Sequence, residues 1–206
     1  MLMLCSSPSI WAWSLVKEDP RHQIRIYTQA VEQSSMKAYR GEMRMRSSLS
    51  APIALLQDNA VADQWMHNCA ILELIEEISD SERLMYMISK APWPVKDRDS
   101  IVHTRVTQDA VTYAVRVDVV ARDDVFPAND DFVRVNQMQG FWLFTPLADG
   151  QIDIVYEAHA DPAGSIPAWI ANSVVVDVPY YTLRGMHRML QQDSYQQQDV
   201  PFLRRP

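Results

Sequence analysis

The last change of hydrophobic period in this chain falls at Asp161-Pro162-Ala163-Gly164, and it limits the fold more than any other feature. Before it, apolar residues mostly alternate with polar ones. After it, Ile166, Trp169, Ile170, Val174, Tyr181, Met186, Met189 and Leu190 recur at steps of three and four. Alternation sends side chains to opposite faces of a strand, whereas the longer step stacks them along one face of a helix. The chain therefore reads as a strand-rich body ending on one long amphipathic helix of about 25 residues, roughly 37 Å at 1.5 Å per residue. Pro179 lies inside that stretch. It removes a backbone donor and crowds the preceding turn, so a kink or break is expected there.

The strand-rich part resolves into hairpins. Residues 13–16 and 23–31 flank a Pro20-containing turn, and in the second run Ile24, Ile26 and Thr28 share a face. Residues 38–45 continue the pattern, with Met43 and Met45 on one face. Ser50 and Pro52 then open a short helix carrying Ile53 and Leu56, and a second short helix is expected over 60–67. Six more strands are expected over 70–78, 83–89, 100–107, 111–121, 132–145 and 151–159. Pro92-Trp93-Pro94 between two of them reads as an ordered loop.

Antiparallel hairpins with a segregated helix define the α+β class. A sheet of about nine strands curls rather than lying flat. Its concave apolar face needs a cover, and the C-terminal helix is the natural one. Pattern alone leaves open whether side chains fill that space or leave a cavity.

Composition excludes some functions. The 206 residues, 48% hydrophobic and 22% charged, suit one globular domain. A net charge of −7 argues against nucleic acid, or an anionic membrane, as the main partner, since both need a basic footprint. No run approaches the roughly 18 apolar residues of a membrane span. Cys5 and Cys69 define no disulfide framework and no zinc or redox motif. His67, His103 and His159 lack metal-ligand spacing, and neither a nucleophile elbow nor a phosphate-cradling loop is present. No cofactor and no catalytic constellation is expected. Residues 1–12 start apolar and then turn small, which fits either the remnant of a secretory signal or a start-site artefact. The first would place the protein in the periplasm or outside the cell, the second in the cytoplasm. Residues 193–206 read as a polar, frayed tail.

Several segments together resemble a known family. In order they are Trp65-Met66-His67-Asn68-Cys69, Trp93-Pro94-Val95-Lys96-Asp97-Arg98-Asp99, Phe132-Val133-Arg134, the run from Phe141 to Leu147, and the run from His159 to Trp169. This series is similar to the START (StAR-related lipid transfer) family, over residues 13–192, in a bacterial-type single-domain form. The resemblance implies a helix-grip fold, a tunnel beneath the C-terminal helix and one bound lipid or other hydrophobic molecule. It also implies transient membrane contact. A cyclase or aromatase-like enzyme on the same scaffold, or a filled structural module, are the alternatives. The longer family members have an N-terminal helix for which little chain precedes Trp13.

Under that resemblance the candidate ligand-binding residues are Met43, Met45, Trp93, Arg134, Met138, Trp142, Trp169, Ile170, Val174, Val178 and Tyr181. Trp169 to Tyr181 would form the inner face of the lid helix. Strand parity would carry Arg134 onto the face of Met138 and Trp142, where it can meet a ligand head group or a buried carboxylate; the rival reading is an exposed edge charge or a structural ion pair. Asp97-Arg98-Asp99 reads either as a polar hook for a ligand or, the preferred reading, as a structural pin in which the arginine bonds its flanking carboxylates.

Overall fold

The computed structural model describes residues 12–161, 163, 164 and 166–204. Residues 1–11, including Cys5, lie outside that set, as do the final two residues of the tail.

Two hairpin strands, β1 (Ser14–Asp19) and β2 (Ile24–Gln29), lead into β3 (Ala38–Arg46). Next come α1 (Ser50–Gln57), a 3₁₀ turn (Asn59–Val61) and the single-turn α2 (Ala62–Trp65). Strands β4 (Cys69–Ser79), β5 (Glu82–Ser89), β6 (Arg98–Gln108), β7 (Val115–Arg122), β8 (Val133–Arg134), β9 (Gln137–Pro146) and β10 (Gln151–Asp161) follow. The chain closes on α3 (Ala168–Met189) and α4 (Asp193–Gln196). Ten described strands form one curled sheet in the order β1-β2-β3-β10-β9-β7-β6-β5-β4. All pairings on this path are antiparallel, and β8 joins off it, parallel to β6. The α+β expectation and the sheet of about nine strands under a C-terminal helix hold.

Side-chain size along the cross-strand rows explains where the concave face is full. In one row Ile24, Met43, Ile154, Phe144 and Val115 are successive partners across five strands, and all are buried. These large side chains meet Leu183 and Met186 of α3, Leu190 just after it, and Ile53 and Leu55 of α1 in a solid core. Four residues further along β10 and β9 the row contains Ala158 and Gly140, partners of each other, which cannot reach as far and line the first chamber. There the space beneath the helix is unfilled.

Two glycines seat the helix. A β-carbon on Gly185 would lie 2.3 Å from the Trp65 carbonyl oxygen, so α3 crosses α2 with backbone against backbone. One on Gly41 would lie 2.6 Å from Leu183 Cδ1 and 3.3 Å from Pro179 Cβ. At the sheet's edge, Tyr180 donates to Asp19 at 3.1 Å and the Lys17 ammonium sits 3.7 Å from the Tyr180 ring centroid.

Four expectations change. Helix α3 runs through Pro179 instead of ending there, because tertiary packing of the buried proline over Gly41 outweighs one lost helical donor. The strand expected from residue 111 starts at Val115, since the Asp109 carboxylate captures the amides of Val111 and Thr112 at 3.0 and 2.7 Å and bends the chain. The strand expected over 132–145 is two pieces with different partners, β8 and β9. The polar tail is docked rather than frayed. Tyr195 is buried and donates to Asp58 at 2.8 Å, Val200 is buried, and Gln196 bonds Ser47 and Ser48.

Candidate functional site

The unfilled part of the concave face consists of two chambers that share Met66, Met87, Met138 and Tyr156. The first, of about 120 Å³, lies over β5, β6, β7 and β9 and is capped by Ile53 and Leu56 of α1. The second, of about 200 Å³, lies under the N-terminal half of α3. Together they reach the lower end of the roughly 300–1,000 Å³ range of small-molecule sites.

Each wall follows from element periodicity. On β6 the even residues face inward, Arg98 and Ser100 into the second chamber and Val102, Thr104 and Val106 into the first. On α3 the inward stripe is Ile170, Val174, Val178 and Thr182, at steps of four. Most of the remaining wall is apolar; Arg83, bonded to Glu77 at 3.3 Å, is the charged residue of the first chamber, and the exposed Lys90 borders the second. Flexible thioethers of Met85, Met87 and Met138 suit a wall that adapts to its contents. No Asp or Glu among the described residues lines either chamber.

One polar pair stands between the chambers. Tyr39 Oη donates to Tyr156 Oη at 2.6 Å, which leaves the Tyr156 proton available for a further bond. Trp142 stacks flat on Tyr156, with ring centroids 3.9 Å apart, and holds it in place. Burial pushes the Tyr39 phenol well above its usual range, with Tyr156 adding to the rise. Burial also raises Tyr156, although its bond from Tyr39 pulls the other way. At the second chamber's rim, burial lifts the Cys69 thiol to about 11 and depresses His67, against the pull of Asp177.

The sequence candidates separate into three groups. Met138, Trp142, Ile170, Val174 and Val178 line the chambers. Met43 and Met45 face the same side of the sheet but are packed in the solid core, so they line neither. Trp93, Trp169, Tyr181 and Arg134 stand elsewhere, and for these the expected placement is corrected. Trp93 is 89% exposed and Trp169 60% exposed. Trp169 is one residue, about 100° of helix rotation, from the inward Ile170. Tyr181 faces the outer groove beside His67.

Arg134 is misplaced for a definite reason. The break at Val135–Asn136 separates β8 from β9, so parity does not carry from one to the other. On β8, Arg134 lies beside Asp99 and bonds it twice, Nε to Oδ1 at 3.1 Å and Nη2 to Oδ2 at 2.8 Å. Tyr86 also donates to Asp99, at 3.2 Å, and Phe126 covers the pair with its carbonyl and ring. Arg134 is raised by its bonds to Asp99. The structural pin is therefore Asp99–Arg134, and Arg98 is no part of it. Asp97 in turn accepts from the Ala91 amide at 2.8 Å.

Tyr39, Tyr156 and Thr182 were not among the sequence candidates, and Arg98 entered only as the less favoured reading of its triplet, a polar hook for a ligand. The even-numbered run on β6 was available as a signal for Arg98. Nothing local signals Tyr39 and Tyr156, which are 117 residues apart.

A curled sheet gripping a long C-terminal helix over an internal cavity defines a helix-grip protein. The START domain family matches over residues 1–194, and the chain belongs to that family. A STAR-related lipid transfer protein from Xanthomonas axonopodis (fragment 25–204) is 36% identical, with a TM-score of 0.79, covering 87% of this chain and 99% of its own. The protein PA1579 of Pseudomonas aeruginosa is 31% identical over 174 residues, 84% of each chain. Human STARD10 shares the fold at 21% identity, with a TM-score of 0.75 over 92% of this chain and 77% of its own.

Proposed function

We propose that the protein binds a single lipid or other hydrophobic molecule in the paired chambers beneath α3 and carries it between membranes. The observation that carries this reading is the apolar hollow itself, roofed by Ile170, Val174, Val178 and Thr182 and free of carboxylates among the described residues. Burying alkyl surface there supplies the driving force, about 25 cal/mol per Å² before the costs of association. The spare Tyr156 proton and Thr182 offer orientation to a polar head. Membership of the START family and the lipid transfer protein from Xanthomonas axonopodis support the same reading.

Uptake requires α3 or the loop around Pro92 to move, because both wall the second chamber. Trp93 and Trp169 follow or precede wall residues on those two segments while pointing outward, which suits contact with a bilayer surface. No helix among the described residues is long and apolar enough to cross a membrane.

An enzyme of the cyclase or aromatase type has one feature in its favour, the hydroxyl pair Tyr39–Tyr156 inside an apolar space. Both phenols are shifted upward, which suits donating a hydrogen bond and not abstracting a proton near neutral pH. We therefore read the protein as a carrier. Native mass spectrometry against a panel of fatty acids, sterols, phospholipids and aromatic compounds tests it. A one-to-one adduct released unchanged supports the carrier. Chemical conversion of an adduct supports the enzyme, and no adduct with any compound contradicts both.

A further inference from the structure

The hollow contains one buried charge that the protein leaves unpaired. Arg98 is 8% exposed and lines the second chamber. Its Nε is shut off from solvent without a hydrogen-bond partner, and its Nη1 donates only to the Lys96 carbonyl. The flanking carboxylates serve other groups, Asp97 the Ala91 amide and Asp99 the Arg134 guanidinium. No other carboxylate substitutes, since neither chamber has an Asp or Glu in its wall. Residues 1–11, 162, 165, 205 and 206, outside the described set, contain no acidic side chain. The other guanidinium on the hollow, Arg83 in the first chamber, bonds Glu77 at 3.3 Å, so in a chain of net charge −7 Arg98 is the guanidinium in the cavity left without a carboxylate. Burial depresses the Arg98 pKa, and the nearby Asp97 charge only partly offsets this. A buried cation without an anion is costly, and a partner that arrives from outside removes the cost.

We propose that the cavity's ligand is an amphiphile with an oxyanion head, a carboxylate or a phosphate monoester, and that Arg98 is the residue that pairs with this head. The planar guanidinium presents donors in a fork that matches either oxyanion. Ser100, next along the inward face of β6, supplies a neutral hydroxyl beside it, and the more exposed Lys90 adds positive charge at the rim. The hydrocarbon then extends into the first chamber, among Met85, Val117 and Trp142. This assignment rests on the reading of the chambers as a ligand site and adds the charge and position of the head.

The test compares dodecanoate, dodecyl phosphate and dodecanol, with inorganic phosphate and acetate alongside, by titration calorimetry on the full chain. The two anionic amphiphiles should bind at least about tenfold more tightly than dodecanol. Arg98→Met should abolish that preference while dodecanol binding persists, and Arg98→Lys should restore part of it. Thermal melting confirms that each variant is folded, and the wild-type comparison stands without either variant. Equal binding of alcohol and anions by the wild type overturns the proposal and leaves the cavity reading intact. So does a preference that survives in folded Arg98→Met. Binding of inorganic phosphate or acetate as tightly as the amphiphiles reduces Arg98 to a simple anion site and also overturns it. If no amphiphile binds at all, the cavity reading fails and the proposal fails with it.

Discussion

Arg98 and Asp99 are neighbours in sequence and point to opposite faces of β6. Arg98 enters the cavity, while Asp99 faces the outer side of the sheet and bonds Arg134 at 2.8 Å. One strand thereby separates a structural charge pair from the only buried guanidinium in the described structure that has no carboxylate.

The outer pair should matter for stability and not for binding. Side-chain exposure is 10% for Arg134 and 0% for Asp99, so removing one partner strands a buried charge. Arg134→Met is expected to lower unfolding free energy by about 3–5 kcal/mol in a urea titration. The folded fraction should keep its ligand affinity, because Arg134 lines neither chamber.

Gly185→Ala reverses the usual helix rule. Alanine is worth about 1 kcal/mol over glycine inside a helix. Here its β-carbon would lie 2.8 Å from Trp65 Cα and closer still to the carbonyl oxygen, so α2 and α3 must separate. The expected outcome is a net loss of about 1–3 kcal/mol, read as a lower thermal midpoint.

The lid and the sheet were legible because they are periodic. Alternation set the strands, and steps of three and four set α3, so Ile170, Val174 and Val178 follow from pattern once the family is recognised. The inner face was drawn too wide. Trp169 and Tyr181 are apolar enough to join the stripe, and only the helix's rotation over the sheet excludes them. Met43 and Met45 obey the same alternation as cavity residues. What distinguishes them is the length of their partners, Ile24 and Ile154 for Met43 and Ile152 for Met45, compared with the small Gly140 and Ala158 two rows from Met43. Whether a row is full depends on five strands at once, and no local window contains that. Arg134 was misplaced by parity carried across a strand break that β-propensity does not signal.

The two outward tryptophans predict a kinetic effect. Trp93→Ser with Trp169→Ser should slow transfer of a fluorescent lipid between vesicles several-fold. Binding affinity should not change, since neither side chain lines a chamber. An unaltered transfer rate would remove these residues from the membrane contact.

Two histidines predict acid sensitivity. His187 is depressed by burial, then by His22 and Arg184, with Asp19 opposing, and His67 is depressed by burial with Asp177 opposing. The unfolded chain then takes up more protons than the folded one below about pH 6.5. Stability should be unaffected by these groups above that pH and should fall as pH drops through the lowered values. His187→Gln should flatten the slope of thermal midpoint against pH between about 6.5 and 5, ahead of the carboxylate range.

The most direct measurement is ligand uptake by Val174→Trp and Val178→Trp, whose side chains enter the second chamber from the roof. Tyr181→Trp, on the outer face of the same helix, is the control. Native mass spectrometry should show the ligand adduct in wild type and in Tyr181→Trp and its loss in the two valine variants, with all four proteins folded. Full occupancy in Val174→Trp and Val178→Trp would contradict a ligand site beneath α3.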